Sequence, residues 1–286
     1  MRFLLRTSAV AVFLVLVFGA GTVAAADPAV VRNGPRNEKV IALTFDDGWS
    51  TPRCQKILEI LVANKVPATF FPNALYVKQH PAFWRRVAEL GFPIANHTTN
   101  HRDLTELTGA GVFQEIDRDR RIVERITGVP MVRVMRPPFG AYNKRTIRQS
   151  TNAGFPTLLL WDTTSSDTSR RKSERAMTRD ALRGRNGSIV VLHCGPKATP
   201  RILPKIIAGY RARGFRFVTI PALLGIDAPS RAVHRPWAWA LHHPSPRHLA
   251  AAQKPCSDVP SSESVRRTGW NPRPGNPCSG PRLAAL

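Results

Sequence analysis

Asp46 and Asp47 follow the apolar run Val40 to Phe45. Adjacent carboxylates repel, and both stay ionised only where a cation lies beside one of them. His97 and His101 stand four residues apart. If that segment makes one helical turn, the two imidazoles converge, a spacing that recurs in zinc sites. Joined to Asp47, they form a set of two imidazoles and one carboxylate that leaves coordination positions for water and substrate. Arg136 opens the run Arg136-Pro137-Pro138-Phe139-Gly140. In that rigid loop its guanidinium could hold a carboxylate by a two-pronged hydrogen bond. His193 closes the apolar run Ile189 to Leu192, where a buried strand opens onto a surface and an imidazole can donate or accept a proton. Each feature alone has an ordinary explanation: a turn, surface histidines, a surface arginine, a satisfied core histidine. Their joint occurrence at successive strand ends favours a catalytic reading over these ordinary ones.

The elements that must position these residues alternate in type. Val40–Phe45, Ala68–Phe71, Phe92–Ala95, Met131–Met135, Thr157–Trp161, Ser188–Leu192 and Phe215–Ile220 read as strands. Amphipathic spacing predicts helices over Lys56–Asn64, Ala82–Leu90, Gly111–Thr127, Thr146–Ala153 and Pro200–Arg213, with Pro221–Leu224 as a closing turn. Strands separated by helical crossovers imply an α/β fold, a barrel or strongly curled sheet of about seven parallel strands, with chemistry at the strand C-termini. Every reactive residue named above falls on that face.

In the order and spacing of Thr44-Phe45-Asp46-Asp47-Gly48, His97 to His101, Arg136 to Gly140 and the strand leading to His193, the chain resembles the polysaccharide deacetylases with a NodB homology domain, carbohydrate esterase family 4. The resemblance covers roughly Lys39 to Leu224 and implies a distorted (β/α) barrel. It implies that Asp46 is the general base, that Asp47, His97 and His101 bind a divalent metal, zinc foremost, and that Arg136 orients Asp46. It further implies that His193 is the general acid, that the backbone N–H near Phe139 helps hold the oxyanion, and that Trp161 and Val191 line an acetyl pocket. The substrate it implies is an N-acetylated polysaccharide; a polysaccharide O-acetyl esterase using the same site, or a catalytically weak wall-glycan-binding protein, is the alternative. One departure stands out. The family's Asp-x-x-Asp-Trp element is replaced by Thr164-Ser165-Ser166-Asp167-Thr168, so the first Asp becomes Thr164 and the Trp becomes Thr168. Loss of that carboxylate is expected to lower the pKa of His193, unless Asp162 or Asp167 takes its place.

Composition sets the surroundings. Arg2 and Arg6, an apolar run from Ala9 to Phe18 and Ala24-Ala25-Ala26 have the layout of a secretory signal over residues 1–26, too short in its apolar part to span a bilayer. The expected division is then a linker over 27–38, a deacetylase domain over 39–225 and a Pro- and Arg-rich, disordered tail over 226–286. The chain carries 42 Lys+Arg against 19 Asp+Glu, a net charge of +23. For an exported protein, secreted or wall-associated, such charge favours anionic wall polymers over nucleic acid. Cys54, Cys194, Cys256 and Cys278 lack Cys-x-x-Cys spacing, which argues against a cysteine-built zinc site and permits disulfides. Cys54 follows the first strand and Cys194 the strand bearing His193; barrel closure would bring them together above the sheet, and two unpaired thiols are the alternative. Cys256 and Cys278 could staple a small appendage within the tail.

Overall fold

The structure, a computed structural model, describes residues 29–226. The expected signal segment, most of the tail, Cys256 and Cys278 lie outside the described residues. No helix among the described residues is long and apolar enough to cross a membrane.

The chain runs β1 (Ala29–Val31), β2 (Val40–Asp46), α1 (Thr51–Ala63), β3 (Ala68–Phe71), α2 (Ala74–Gln79), α3 (Pro81–Glu89), β4 (Ala95–Asn96), α4 (Gly109–Thr127), β5 (Val132–Met135), α5 (Lys144–Asn152), β6 (Thr157–Leu159), β7 (Thr163–Thr164), α6 (Glu174–Ala181), β8 (Ser188–His193), α7 (Thr199–Ala212), β9 (Arg216–Phe217) and α8 (Ile220–Leu224). One sheet has the order β1-β6-β5-β4 and the other β3-β2-β8-β7, with β9 also on β2. All these strand pairs are parallel. A parallel bridge from Phe70 to Ile94 joins the sheets along β3 and β4, and an antiparallel bridge from Asn33 to Ser188 draws the chain after β1 onto β8. The strands thus curl into an α/β barrel with helices outside.

Period-two alternation sorts the side chains into two cores. Ile41, Leu43 and Phe45 of β2 pack with the buried faces of α1, α3, α4, α6 and α7 in the outer core. Val40 and Ala42 pack with Phe71, Ala95, Val132, Val134, Leu159 and Ile189 in the inner one. All of β2 is buried, as expected for a strand covered on both faces.

The elements differ from expectation in instructive places. The segment expected as a linker contributes β1, which pairs with β6. β6 ends at Leu159 rather than Trp161 because the Leu159 and Leu160 carbonyls accept hydrogen bonds from Arg136. β4 starts late: Pro93 has no N–H to donate, and only its carbonyl pairs, accepting from Phe70 N–H. The last strand shrinks to Arg216–Phe217, since Thr219 caps α8 through Ala222 N–H and Pro221 stands in the first turn of that helix. The helices α2 and α6 were not anticipated. Gly128 ends α4 in the left-handed conformation at φ 72°.

Cys54 in α1 and Cys194 at the end of β8 form a disulfide, with Cα atoms 5.0 Å apart across 140 residues of sequence. A cross-link over so long a loop restricts the unfolded chain strongly. Peptide mapping without reductant should recover the joined peptides, and the C54S/C194S variant should lose about 2–5 kcal/mol of stability, read as a lower thermal midpoint. Alkylation of Cys54 in the native protein would contradict the pairing.

Candidate active site

The alternation that sorts the cores also aims the site. On β2 the inner face carries Val40 and Ala42, and in the same register Thr44 and Asp46. Inner-face Ile189 of β8 is followed at steps of two by Val191 and His193, and Val132 and Val134 of β5 by Arg136. Ala95 of β4 leads to His97, and Leu159 of β6 to Trp161. Strand pairing then brings these positions together, Asp46 lying opposite His193 in the β2–β8 register.

Arg136 is fully buried inside the barrel. Its Nη1 donates to Asp46 Oδ1 at 2.5 Å and to Thr44 Oγ1 at 2.9 Å. Nε and Nη2 donate to the carbonyls of Leu159 and Leu160, both at 3.3 Å. The guanidinium lies 4.3 Å from the Phe71 ring centroid and 5.7 Å from that of Trp161. The grip on Asp46 is therefore single, not the two-pronged one expected, because the other donors satisfy strand-end carbonyls. Burial lowers the arginine's pKa and Asp46 opposes that shift. An arginine so placed stays charged.

Asp47, His97 and His101 form a cluster whose candidate donor atoms all lie within 4.8 Å of one another. Asp47 Oδ1 is 3.7 Å from His97 Nε2 and 3.4 Å from His101 Nε2. His97 Nδ1–H donates to the Arg136 carbonyl at 2.8 Å, since a carbonyl can only accept. That bond fixes the tautomer and leaves Nε2 as a ligand atom, the outer-shell arrangement typical of metal-binding histidines. His101 has its pKa lowered by burial and by His97, with Asp47 and Asp46 opposing, which favours the neutral ring a metal requires. Two imidazoles and a carboxylate, two of the three residues buried, fit a divalent cation.

The two histidines do not converge on a helical turn. The segment from His97 to His101 is a loop in which Thr98 and His101 take positive φ of 68° and 55°, and Asp47 does likewise at 69°. Such conformations cost energy in non-glycine residues and persist where surroundings enforce them. Here the enforcement comes from α4. Glu115 accepts from Asn100 N–H at 2.9 Å and from Asn100 Nδ2 at 2.8 Å, while its backbone carbonyl accepts from Thr99 Oγ1 at 2.9 Å. Asn96 reaches the Ile116 carbonyl. On the opposite side Asn73, the N-cap of α2, donates to Asp47 Oδ1 at 3.4 Å. Sequence reading missed Glu115 and Asn73. A glutamate on the apolar stripe of α4, one residue before Ile116, was the available signal.

His193 meets Asp167. Its Nδ1 lies 2.8 Å from Asp167 Oδ1, and its backbone N–H donates to Asp167 Oδ2 at 2.8 Å. Thr199 Oγ1 also donates to Asp167 Oδ2, at 2.7 Å. Burial would lower the pKa of His193, but the hydrogen bond and charge of Asp167, with smaller contributions from Asp46 and Asp47, carry it up to about 9. The expected fall in pKa is thus reversed: the last Asp of the altered motif is retained and holds the ring. Thr164 is exposed and bonds Ser166 N–H instead. Asp162 sits elsewhere, pairing with Arg36 at 2.6 Å and accepting from Ser188 Oγ and Ile189 N–H.

Phe139, at φ 61°, packs its exposed ring against His101 with centroids 4.7 Å apart. Trp161 is half-buried behind Gly140, where an added Cβ would come within 3.2 Å of the indole. Val191 is buried in β8, opposite Thr44. The arrangement therefore offers a cation site with a clamped carboxylate on one side and a cationic imidazole on the other, a layout suited to hydrolysis of an acyl bond.

Comparison with known proteins agrees with this geometry. The family model for polysaccharide deacetylase matches residues 33–158, which include the cluster, Asp46 and Arg136. A peptidoglycan-N-acetylglucosamine deacetylase of Bacillus cereus is 31% identical over 194 residues, 66% of this chain and 90% of the relative. A chitooligosaccharide deacetylase of Rhizobium leguminosarum is 35% identical, over 66% of this chain and 85% of the relative. Among solved structures, a family 4 carbohydrate esterase from Streptomyces lividans in complex with acetate superposes with a TM-score of 0.61 at 29% identity, covering 70% of this chain and all of that one. Sequence, fold and site converge on one assignment: the chain belongs to the polysaccharide deacetylases, carbohydrate esterase family 4.

Proposed function

We propose that the protein is an exported hydrolase that removes N-acetyl groups from N-acetylglucosamine-type residues of a cell-wall or chitin-like polysaccharide, releasing acetate and a free amino sugar. One observation carries the reading: the Asp47–His97–His101 cluster is flanked on one side by Asp46, gripped by Arg136, and on the other by His193, hydrogen-bonded to Asp167 and with its pKa raised to about 9. The names of the relatives support the acetamido substrate.

Asp47, His97 and His101 would hold a divalent cation, zinc by the chemistry of two imidazoles and a carboxylate. When bound, such an ion lowers the pKa of water and polarises the amide carbonyl. Asp46 takes the proton of the attacking water; Arg136 occupies one carboxylate oxygen and leaves the other for that task. The backbone N–H of Phe139 is assigned to the oxyanion. As the carbon–nitrogen bond breaks, His193 gives its Nε2 proton to the departing nitrogen, and Asp167 on Nδ1 stabilises the imidazolium and fixes its direction. Acetate release from N-acetylglucosamine oligomers and peptidoglycan, with and without chelator, tests the reading as a whole.

Chelation should abolish acetate release and zinc restore it. Asp47→Ala should remove the metal, and Glu115→Ala, which frees the ligand loop, should weaken zinc binding by about 10–100-fold in a competition titration. Full activity of metal-free protein would reject the metal assignment.

The roles of the two aspartates separate in Asp46→Asn. The amide still accepts from Arg136 but takes no proton, so acetate release should fall by about 10²–10⁴-fold while zinc affinity is kept. Loss of zinc in that variant would exchange the assignments of Asp46 and Asp47.

The acid form of His193 is present below its raised pKa and is lost as pH rises through it, so it sets the alkaline limb of kcat/KM. Asp167→Asn removes the principal stabiliser of the imidazolium, and the limb should move to lower pH by at least about one unit. A cation held at Asp47 would itself work against the raised pKa, and Asp167→Asn would still remove the Asp167 contribution. An unmoved limb would mean that His193 is not the titrating acid.

A further inference from the structure

Among the described residues, three large apolar side chains are exposed: Trp49 at 41%, Leu75 at 42% and Phe139 at 68%. All three border the site. Trp49 follows Asp47 by two residues, Leu75 N–H donates to the Thr99 carbonyl in the ligand loop, and Phe139 abuts His101. Apolar surface kept at the rim of a polar centre marks a contact made with something else.

Trp49 is also held in place. Its ring centroid is 6.3 Å from that of His193, with 44° between the planes. The indole lies directly over Gly195, where even an added Cβ would fall 2.0 Å from Trp49 Cε2. The Gly195 carbonyl accepts from Arg53 Nη1, and the preceding Cys194 is bonded to Cys54 of the same helix. The platform therefore rests on a backbone seat tied to α1 and β8. A rigid aromatic loses little freedom when a ligand settles on it.

The reaction says what settles there. In hydrolysis of an acetamido group the acetyl carbon leaves with acetate, while the nitrogen that His193 protonates remains on the sugar. The sugar must then lie on the His193 side of the site, where Trp49 stands, with Phe139 across the ligand cluster on the acetyl side. A pyranose presents an apolar face of C–H groups and a rim of hydroxyls, and it matches an indole face set beside charged groups better than a lipid chain does. We propose that Trp49 forms a sugar-binding subsite that stacks the pyranose unit next to the one being deacetylated. The proposal rests on the deacetylase reading for the direction of the glycan.

The test is kinetics and binding with N-acetylglucosamine oligomers of increasing length on the zinc-loaded full chain. Trp49→Ala should raise KM on the order of tenfold, the worth of one stacked ring, for every oligomer from the dimer to the pentamer, with kcat affected far less and with no penalty for the monosaccharide, which leaves the subsite empty. Trp49→Tyr should recover most of the loss. Gly195→Ala, which unseats the indole while leaving it in the chain, should reproduce the Trp49→Ala pattern. A length-independent fall in kcat with a displaced alkaline limb would make Trp49 a positioning residue for His193 and overturn the subsite. Equal pentamer binding by Asp46→Asn with and without Trp49→Ala, read by calorimetry, would overturn it too. So would single-stranded DNA binding that needs Trp49 while oligosaccharide binding does not. Trp49-dependent oligosaccharide binding by a wild-type protein that releases no acetate from any glycan would sink the deacetylase reading and keep the subsite. Acetate release with Trp49-independent binding would do the reverse.

Discussion

The buried ion pair between Arg136 and Asp46 is the contact on which the rest of the site depends. A guanidinium with no exposed surface survives in a barrel interior only if a charge partner and enough acceptors surround it. Asp46 supplies the charge; Thr44 and the carbonyls of Leu159 and Leu160 supply the acceptors. One side chain thereby ties together the ends of β2, β5 and β6. Its own carbonyl accepts from His97, so β4 is tied in as well. Removing either charge would leave the other uncompensated at a cost of about 3–5 kcal/mol. This expense places a carboxylate with one oxygen committed and one available at the C-terminal mouth of the barrel.

Around that pair, backbone strain is concentrated where the chemistry is placed. Of the six non-glycine residues with positive φ among those described, Asp47, Thr98, His101, Phe139 and Ser166 lie in the loops that build the site. Each turns the chain at a strand end so that consecutive residues do different things. Asp46 points to Arg136 and Asp47 to the histidines; Ser166 precedes the aspartate that holds His193. The cost of these conformations is met by packing elsewhere, chiefly by α4, whose Glu115 and Ile116 carry the ligand loop.

The electrostatic division of the site follows from the same placement. Asp46 and His193 end neighbouring strands in register, so two groups of opposite charge face one reaction volume. Each is backed by a buried partner of the opposite sign, Arg136 for one and Asp167 for the other. The disulfide at Cys194 and the Asp167 bond to the His193 backbone anchor the strand end that carries His193. With His193 raised by Asp167 and Asp46 held by Arg136, the two strand ends suit the acid and base roles proposed for them.

Much of this was legible in the residues. Alternating apolar runs gave parallel strands and helices, because a strand covered on both faces has to be apolar along its length, as β2 is. Asp46, Asp47, His97, His101, Arg136 and His193 stood out because reactive side chains directly after such runs have no role in packing. Their places at the C-terminal ends of the expected strands also put them on one face of the barrel. What that pattern could not give was whatever depends on loops and long-range approach. The left-handed turn that splits Asp46 from Asp47, the non-helical path between His97 and His101, the support from Glu115, the choice of Asp167 over Asp162 and Thr164, and the seating of Trp49 on Gly195 all belong to that class. The sequence by itself determined which side chains could do chemistry and on which strand ends they stand, since both follow from local periodicity. Only the tertiary structure decided which of them touch, because contacts between residues dozens of positions apart are set by strand order, register and the packing of helices that local pattern does not encode.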